Sequence, residues 1–183
     1  MSAADYPAIE PKSRAHWRRW LRLNHTKQRG VWLLWPRRGA GSPTFPYEDA
    51  VEEALCYGWI DGQYKPVDAG RSKLMFTPRR PGSAWARSNR ARVARLIKTG
   101  RMRPAGLAKV KAAKRDGSWA LLKSVEALDV PQDLRRALAV AGMKRFDALA
   151  KSNQRAHLFA LVTAKRPDTR AKRVAAIAAK MRA

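Results

Sequence analysis

The sequence predicts an α+β fold: a small antiparallel sheet of about three strands packed with a predominantly helical C-terminal half. Three observations predict it. Short bulky runs bounded by Gly and Pro, VWLLW, WIDGQYKPV and SKLMFTP, all lie before residue 79 and read as strands. From Ser83 onward, apolar residues recur at three- and four-residue spacing, the helical period. No internal repeat or low-complexity linker interrupts the 183 residues, enough chain for one real core. The expected organisation is a flexible N-terminus at 1–12 and a single domain at 13–183, with an α/β half at 13–82 and a helical half at 83–183.

The elements follow in order. Ser13 can cap a helix that sets Trp17, Trp20 and Leu21 on one side and Arg18, Arg19 and Arg22 mostly on the other, ending near Asn24. VWLLW, between Gly30 and Pro36, is a buried strand, and the Gly- and Pro-rich RRGAGSPTFP after it is a loop. Tyr47 to Cys56 carries Glu48 and Asp49 in its first turn, where acids suit the helix dipole, and an apolar stripe of Val51, Ala54 and Leu55, with Gly58 closing it. WIDGQYKPV and SKLMFTP, joined around Asp68, Ala69 and Gly70, form a hairpin.

In the second half, Trp85, Ala86, Val93, Leu96 and Ile97 share one side of a helix starting near Ser83, with Arg87, Arg90, Arg92, Arg95 and Lys98 around the rest. Gly100 ends it, Pro104 opens the next helix and Gly117 stops that one. Pro131 begins a short helix bearing Leu134 and Leu138, with Gly142 as its stop. Ser152 can cap a helix with His157, Leu158, Leu161 and Val162. Asp168 can cap the last, where Val174, Ile177, Ala178 and Met181 line up.

The formal charge is +25, and it is unevenly placed. Residues 1–70 hold ten basic and eight acidic side chains, 71–115 hold fifteen and none, and 116–183 hold fourteen and six. With 45% apolar residues and seven Trp, the chain has enough to pack, so the charge decorates a fold rather than marking disorder. A local excess of this size gathers polyanions, whether nucleic acid, anionic membrane or an acidic protein. The alternative is a solvated face of an Arg- and Ala-rich composition.

The block PRRPGSAWARSNRARVARLIKTGRMR supplies the best site. Arg79 and Arg80 precede the expected helix start, so their guanidinium forks and the free N–H groups of the first turn could meet an anion together. Arg87, Arg90 and Arg95 extend the positive face, and Arg101 and Arg103 follow it. Trp32, Trp35, Trp59, Trp85 and Trp119 could stack on bases, although their places in apolar stripes suit core packing. A second possibility is a small anionic-ligand-binding protein or weak enzyme, using a cleft lined by Trp59, Asp61, Tyr64 and Arg79. Asp61, between Ile60 and Gly62, either faces such a ligand or pairs with an arginine between 71 and 103.

Other chemistry finds little support. Cys56 stands alone, which excludes an intrachain disulfide and a multi-cysteine metal site. It lies near the end of its helix, whereas dipole activation needs the start, so it reads as a buried structural thiol. His16, His25 and His157 are scattered, no HExxH, CxxC or Asp-rich loop occurs, and GAGS at 39–42 lacks the Lys-Ser/Thr of a phosphate-binding loop. No cofactor, metal or catalytic residue is expected. MSAADYPAIEPK has neither a basic n-region nor an apolar h-region, and no run of about 18 apolar residues occurs. A cytoplasmic protein without a membrane-spanning segment is the expectation.

HWRRWLRLNHTKQRGVWLLW at 16–35, EDAVEEALCYGWIDGQ at 48–63, FTPRRPGSAWARSNRARVARLIKTGRMRPAGLAKVKAAKRDGSW at 76–119 and AKRPDTRAKRVAAI at 164–177 together resemble the YdeI/OmpD-associated, or bacteriocin-protection, family. The resemblance runs from about Ser13 to Met181. It implies a role in envelope stress or bacteriocin tolerance and specifies no reaction. With the charge, it makes the leading expectation a non-enzymatic, sequence-independent binder of DNA or RNA. A regulatory module for an acidic protein partner fits the charge as well.

Overall fold

The computed structural model describes residues 5–36 and 45–182. The loop expected at 37–46 falls largely on 37–44, and GAGS lies wholly there, outside the described residues. The chain forms two compact units. The first, the sheet unit, takes 1–83 and 88–116, and the second, the helical unit, takes 84–87 and 117–183.

The sheet unit holds β1 (Ala8–Ile9), α1 (Arg14–Asn24), β2 (Val31–Pro36), α2 (Tyr47–Cys56), β3 (Trp59–Pro66), β4 (Arg71–Pro78), most of α3 (Arg87–Lys98) and α4 (Pro104–Arg115). Its sheet has four strands in the order β1-β2-β4-β3. The expected three are antiparallel neighbours, Val31 opposite Phe76 and Trp59 opposite Pro78. The fourth, β1, lies in the segment expected to be a flexible N-terminus and pairs parallel with β2, Ala8 opposite Trp32. The Trp32 amide donates to the Pro7 carbonyl at 2.8 Å. A strand as short as Ala8–Ile9 is too brief to show the alternation by which a sequence reveals strands.

Local chemistry explains the expected elements. Ser13 Oγ accepts the His16 amide at 3.1 Å and caps α1. In the β3–β4 turn, Asp68 Oδ1 accepts the amides of Gly70 and Arg71 at 2.9 and 2.8 Å, an Asp-centred turn that fixes the hairpin register. A bulge falls between Asp61 and Tyr64. Trp17, fully buried, stacks on Trp20 at 5.3 Å, tilts onto Phe76 at 5.4 Å and donates Nε1 to the Ala50 carbonyl. Burial of such aromatic groups contributes the largest apolar areas in a small core.

Two expectations about α3 change. It begins at Arg87 rather than near Ser83, where the chain instead makes a turn in which the Ser83 hydroxyl donates to the Arg80 carbonyl at 2.7 Å. Ile97, expected on the buried face with Val93 and Leu96, is 48% exposed while those two are buried.

The helical unit holds α5 (Lys123–Ala127), α6 (Gln132–Ala148), α7 (Lys151–Val162) and α8 (Pro167–Lys180). Leu134, Phe146, Leu158 and Leu161 form its fully buried centre, joined by Ile177 and Ala178. Gly142 does not stop α6. The helix runs on to Ala148, with a break at Ala139, whose φ is 53°. A Cβ on Gly142 would meet Leu138 at 3.4 Å and Met181 at 3.7 Å, ordinary contact distances, so the glycine sits inside the helix as a tolerated residue. Ala150 rather than Ser152 precedes α7, and Arg166 rather than Asp168 precedes α8. Pro167 occupies the first turn of α8, where a missing N–H costs nothing, and Asp168 pairs with Arg166 at 3.0 Å. The one-turn α5 was not expected.

Candidate anion-binding groove

The basic block does not stand alone in the structure, because α2 answers much of it. Glu48, Asp49, Glu52 and Glu53 recur along α2 at helical spacing, so they present one acidic stripe. Arginines from three other segments converge there. Glu53, 2% exposed, accepts from Arg14 at 2.6 Å, from Arg18 twice at 2.8 Å and from Arg101 at 2.6 Å. Glu52, 5% exposed, takes Arg14 at 2.6 Å, Arg95 at 2.5 Å and Arg101 at 3.1 Å. Glu48 takes Arg92 at 2.6 Å and Arg95 at 2.9 Å, and Asp49 pairs with Arg14.

Burial alone would raise the Glu53 carboxyl. Hydrogen bonds from Arg18 and Arg14 overcome that and hold it below the usual carboxylate value. For Glu48, the Arg92 hydrogen bond lowers it first. Buried carboxylates of this kind require such partners, so these arginines are structural.

The expected site residues therefore separate. Arg95 and Arg101 are bound to α2. Arg79 is 5% exposed, with Nη2 directed at the Ser83 carbonyl and hydroxyl at 3.4 and 3.5 Å, and burial pulls its pKa down to about 10 against the opposing charge of Asp61. It cannot offer its fork to a polymer. The first turn of α3 is also engaged, for the Arg87 amide donates to Glu126 at 2.7 Å. Arg90 is half-buried, and Arg80, Arg87 and Arg103 are exposed.

The four residues expected to line a cleft around Asp61 stand in different surroundings. Trp59 is buried, donating Nε1 to the His25 carbonyl at 3.2 Å, while Tyr64 is 58% exposed. Asp61 accepts the Tyr47 hydroxyl at 2.7 Å, and burial followed by that bond raises the Tyr47 pKa. Trp32, Trp59 and Trp85 are buried, with Trp35 and Trp119 half-buried, so these rings serve mainly as core. Cys56 is buried, its thiol pushed up to about 12 by burial and by Glu53.

A concave feature lies elsewhere in the sheet unit. A groove of about 700 Å3 opens among α1, Tyr57 and the start of α4. Arg18, Arg19 and Arg22 line it from α1, Pro104 from α4 and Arg103 from the residue just before it, and no acidic residue is among the described residues lining it. Arg19, Arg22 and Arg103 are exposed. Arg18 also reaches Glu53, so its charge is already balanced from behind. The first turn of α4 has no side-chain cap, which leaves the positive helix end facing the same space. That turn can approach because residue 106 is glycine: a Cβ there would lie 2.5 Å from the carbonyl oxygens of both Leu55 and Cys56. Of the expected residues only Arg103 belongs to the groove. Arg19 and Arg22 were visible as the polar side of an amphipathic helix, but nothing in the sequence brings them to residue 103.

Among the described residues, no group of His, Cys, Asp and Glu is placed to hold a metal ion, and no helix is long and apolar enough to cross a membrane.

The fold and groove define an α+β protein with an arginine-lined concavity on its sheet unit. Residues 9–109 match the model of a domain of unknown function (DUF8412), and residues 127–183 match that of the family described as bacteriocin-protection, YdeI or OmpD-associated. The chain belongs to the first family, whose model covers more than half of it, and its C-terminal part is similar to the YdeI/OmpD-associated family. Neither a search of curated proteins nor one of solved structures found a match.

Proposed function

We propose that this protein is a non-enzymatic, cytoplasmic stress-tolerance factor that binds DNA or RNA through phosphates, without sequence readout. The observation that carries the reading is the partition of charge in the sheet unit. Four of its acids are gathered on α2 and paired with Arg14, Arg18, Arg92, Arg95 and Arg101, while Arg19, Arg22, Arg80, Lys98, Arg103 and Lys111 remain exposed. Acids already neutralised by arginine partners leave the outward field to the excess cations. The stress role rests on the family description "bacteriocin-protection".

Absence of base-reading geometry among the described residues supports a phosphate-directed mode. Most tryptophans sit in the core, which removes the stacking platforms that single-strand binders use, and phosphate contacts position a protein without informing it of sequence. Fluorescence anisotropy with labelled duplex and single-stranded DNA and RNA, from about 50 to 300 mM salt, tests this. Each phosphate contact on duplex DNA contributes a log-log salt slope of about −0.9. Binding that survives about 150 mM salt, with similar affinity for unrelated sequences, is expected. Loss of all binding by that point would reduce the charge to a weak polyanion trap.

A further inference from the structure

We infer that the groove among α1, Tyr57 and the start of α4 is a binding site for a phosphomonoester, carried either by a free mononucleotide-sized ligand or by the end of a nucleic-acid strand. The inference deepens the nucleic-acid reading, and rests on it only in taking phosphate as the anion.

Its volume, about 700 Å3, falls in the range of small-molecule sites, roughly 300–1,000 Å3. Arg19 and Arg22 lie three residues apart on α1, hence on neighbouring positions of one helix face, and Arg103 stands opposite at the entry to α4. The ion pairs on α2 that hold the unit together are made by Arg14, Arg18, Arg92, Arg95 and Arg101, not by these three guanidinium groups. The structure thus engages the arginine of the wall, Arg18, and leaves those of the rim for a ligand.

A phosphodiester offers one negative charge. A monoester at neutral pH carries about −1.5 to −2 and three strong acceptor oxygens, a better match to three guanidinium forks and a helix N-terminal end. The rings of Tyr57 and His25, 5.1 Å apart and inclined at 51° to one another, border the same groove beside the group that bears the phosphate.

The test is calorimetric titration of the full chain with adenosine 5′-monophosphate and with adenosine, beside anisotropy with one single-stranded oligonucleotide bearing either a 5′-phosphate or a 5′-hydroxyl. The chains compared are the wild type, R22A/R103A, R103K, and R80A as an exposed arginine outside the groove. The inference predicts that the monophosphate binds at least about tenfold more tightly than adenosine, a difference of about 1.4 kcal/mol. That preference disappears in R22A/R103A, stays in R80A and is partly kept in R103K. A matching preference for the phosphorylated oligonucleotide assigns the phosphate to strand ends; a preference for the monophosphate alone assigns it to a free ligand. Equal binding of monophosphate and adenosine, or a preference that survives in R22A/R103A, overturns the site. Equal binding of monophosphate and adenosine, beside sequence-independent binding of both oligonucleotides that is indifferent to the phosphate, would overturn this inference and leave the broader reading standing. A groove that takes the monophosphate in a protein that binds no oligonucleotide would do the reverse.

Discussion

Arg101 Nη2 lies 2.6 Å from a carboxylate oxygen of Glu53, and its Nη1 lies 3.1 Å from Glu52. One arginine from the segment after α3 therefore bridges two buried carboxylates on consecutive positions of α2. The same two acids bind Arg14 on α1 and, through Glu52, Arg95 on α3. Four segments of the sheet unit meet at this pair of side chains.

Replacing Glu53 by Ala takes from Arg18 its carboxylate partner and leaves Arg14 and Arg101 to share Glu52, with Asp49 still on Arg14. Removing one partner of a buried ion pair costs about 3 kcal/mol or more, and the partial exposure of the arginines sets the lower end here. Urea denaturation at neutral pH should show that loss, while Lys98→Ala, on an exposed position, should change stability by less than about 0.5 kcal/mol.

Glu53 also predicts a pH dependence. Its native pKa lies below the ordinary value, about 4.3 for Glu, so the unfolded chain binds the extra proton as acid is added. Its contribution is fully present above the unfolded value and is lost as pH falls through the lower native pKa. The stability difference between the wild type and Glu53→Gln should be constant from about pH 7 to pH 5 and shrink below about pH 4. A difference that grows on acidification would contradict the assignment.

Gly106→Ala should be costly. Its Cβ would sit 2.5 Å from two backbone oxygens that cannot rotate away, so α4 must shift, at a cost of about 2 kcal/mol or more. Gly70→Ala, where the nearest atom would be Asp68 Oδ1 at 3.8 Å, should be nearly neutral. Thermal unfolding of the two variants makes the comparison.

Cys56 should be inert in the native state. With its thiol pushed up to about 12 and its side chain buried, almost no thiolate exists at about pH 8. A colorimetric disulfide reagent should leave the folded chain unmodified and titrate one thiol in denaturant. Prompt labelling of the folded chain would mean that the α2 C-terminus opens.

Features set by near neighbours were legible in the sequence. Ser13 announces α1 by its own side-chain bond, Asp68 and Gly70 announce the hairpin, and Pro104 announces α4. The hub on α2 was not legible, because Arg95 and Glu52 are 43 positions apart and a charged residue carries no sign of its partner. For the same reason fifteen uncompensated cations between 71 and 115 looked like one open face. Several of them are interior contacts, and the acids that answer them lie in an earlier segment. The start of α3 was misplaced because apolar spacing does not mark where a helix begins, and residues near Ser83 form a turn closed onto Arg80. Gly142 misled because an isolated glycine is tolerated inside a helix as well as at its end. The groove joins Arg103 to Arg19 and Arg22, far earlier in the chain, which no spacing rule reaches.

The most direct test of the central claim is nucleic-acid binding by the wild type, by R19A/R22A/R103A and by R95Q, compared across the same salt range. If the outward arginines neutralise phosphates, the triple variant binds more weakly and its salt slope falls by roughly 0.9 for each duplex phosphate it no longer neutralises. R95Q, which removes a bond to Glu52 and Glu48, should keep the wild-type slope while losing stability. Equal slopes for the wild type and the triple variant, or a slope that falls in R95Q instead, would contradict the division between structural and outward-facing arginines on which the account rests.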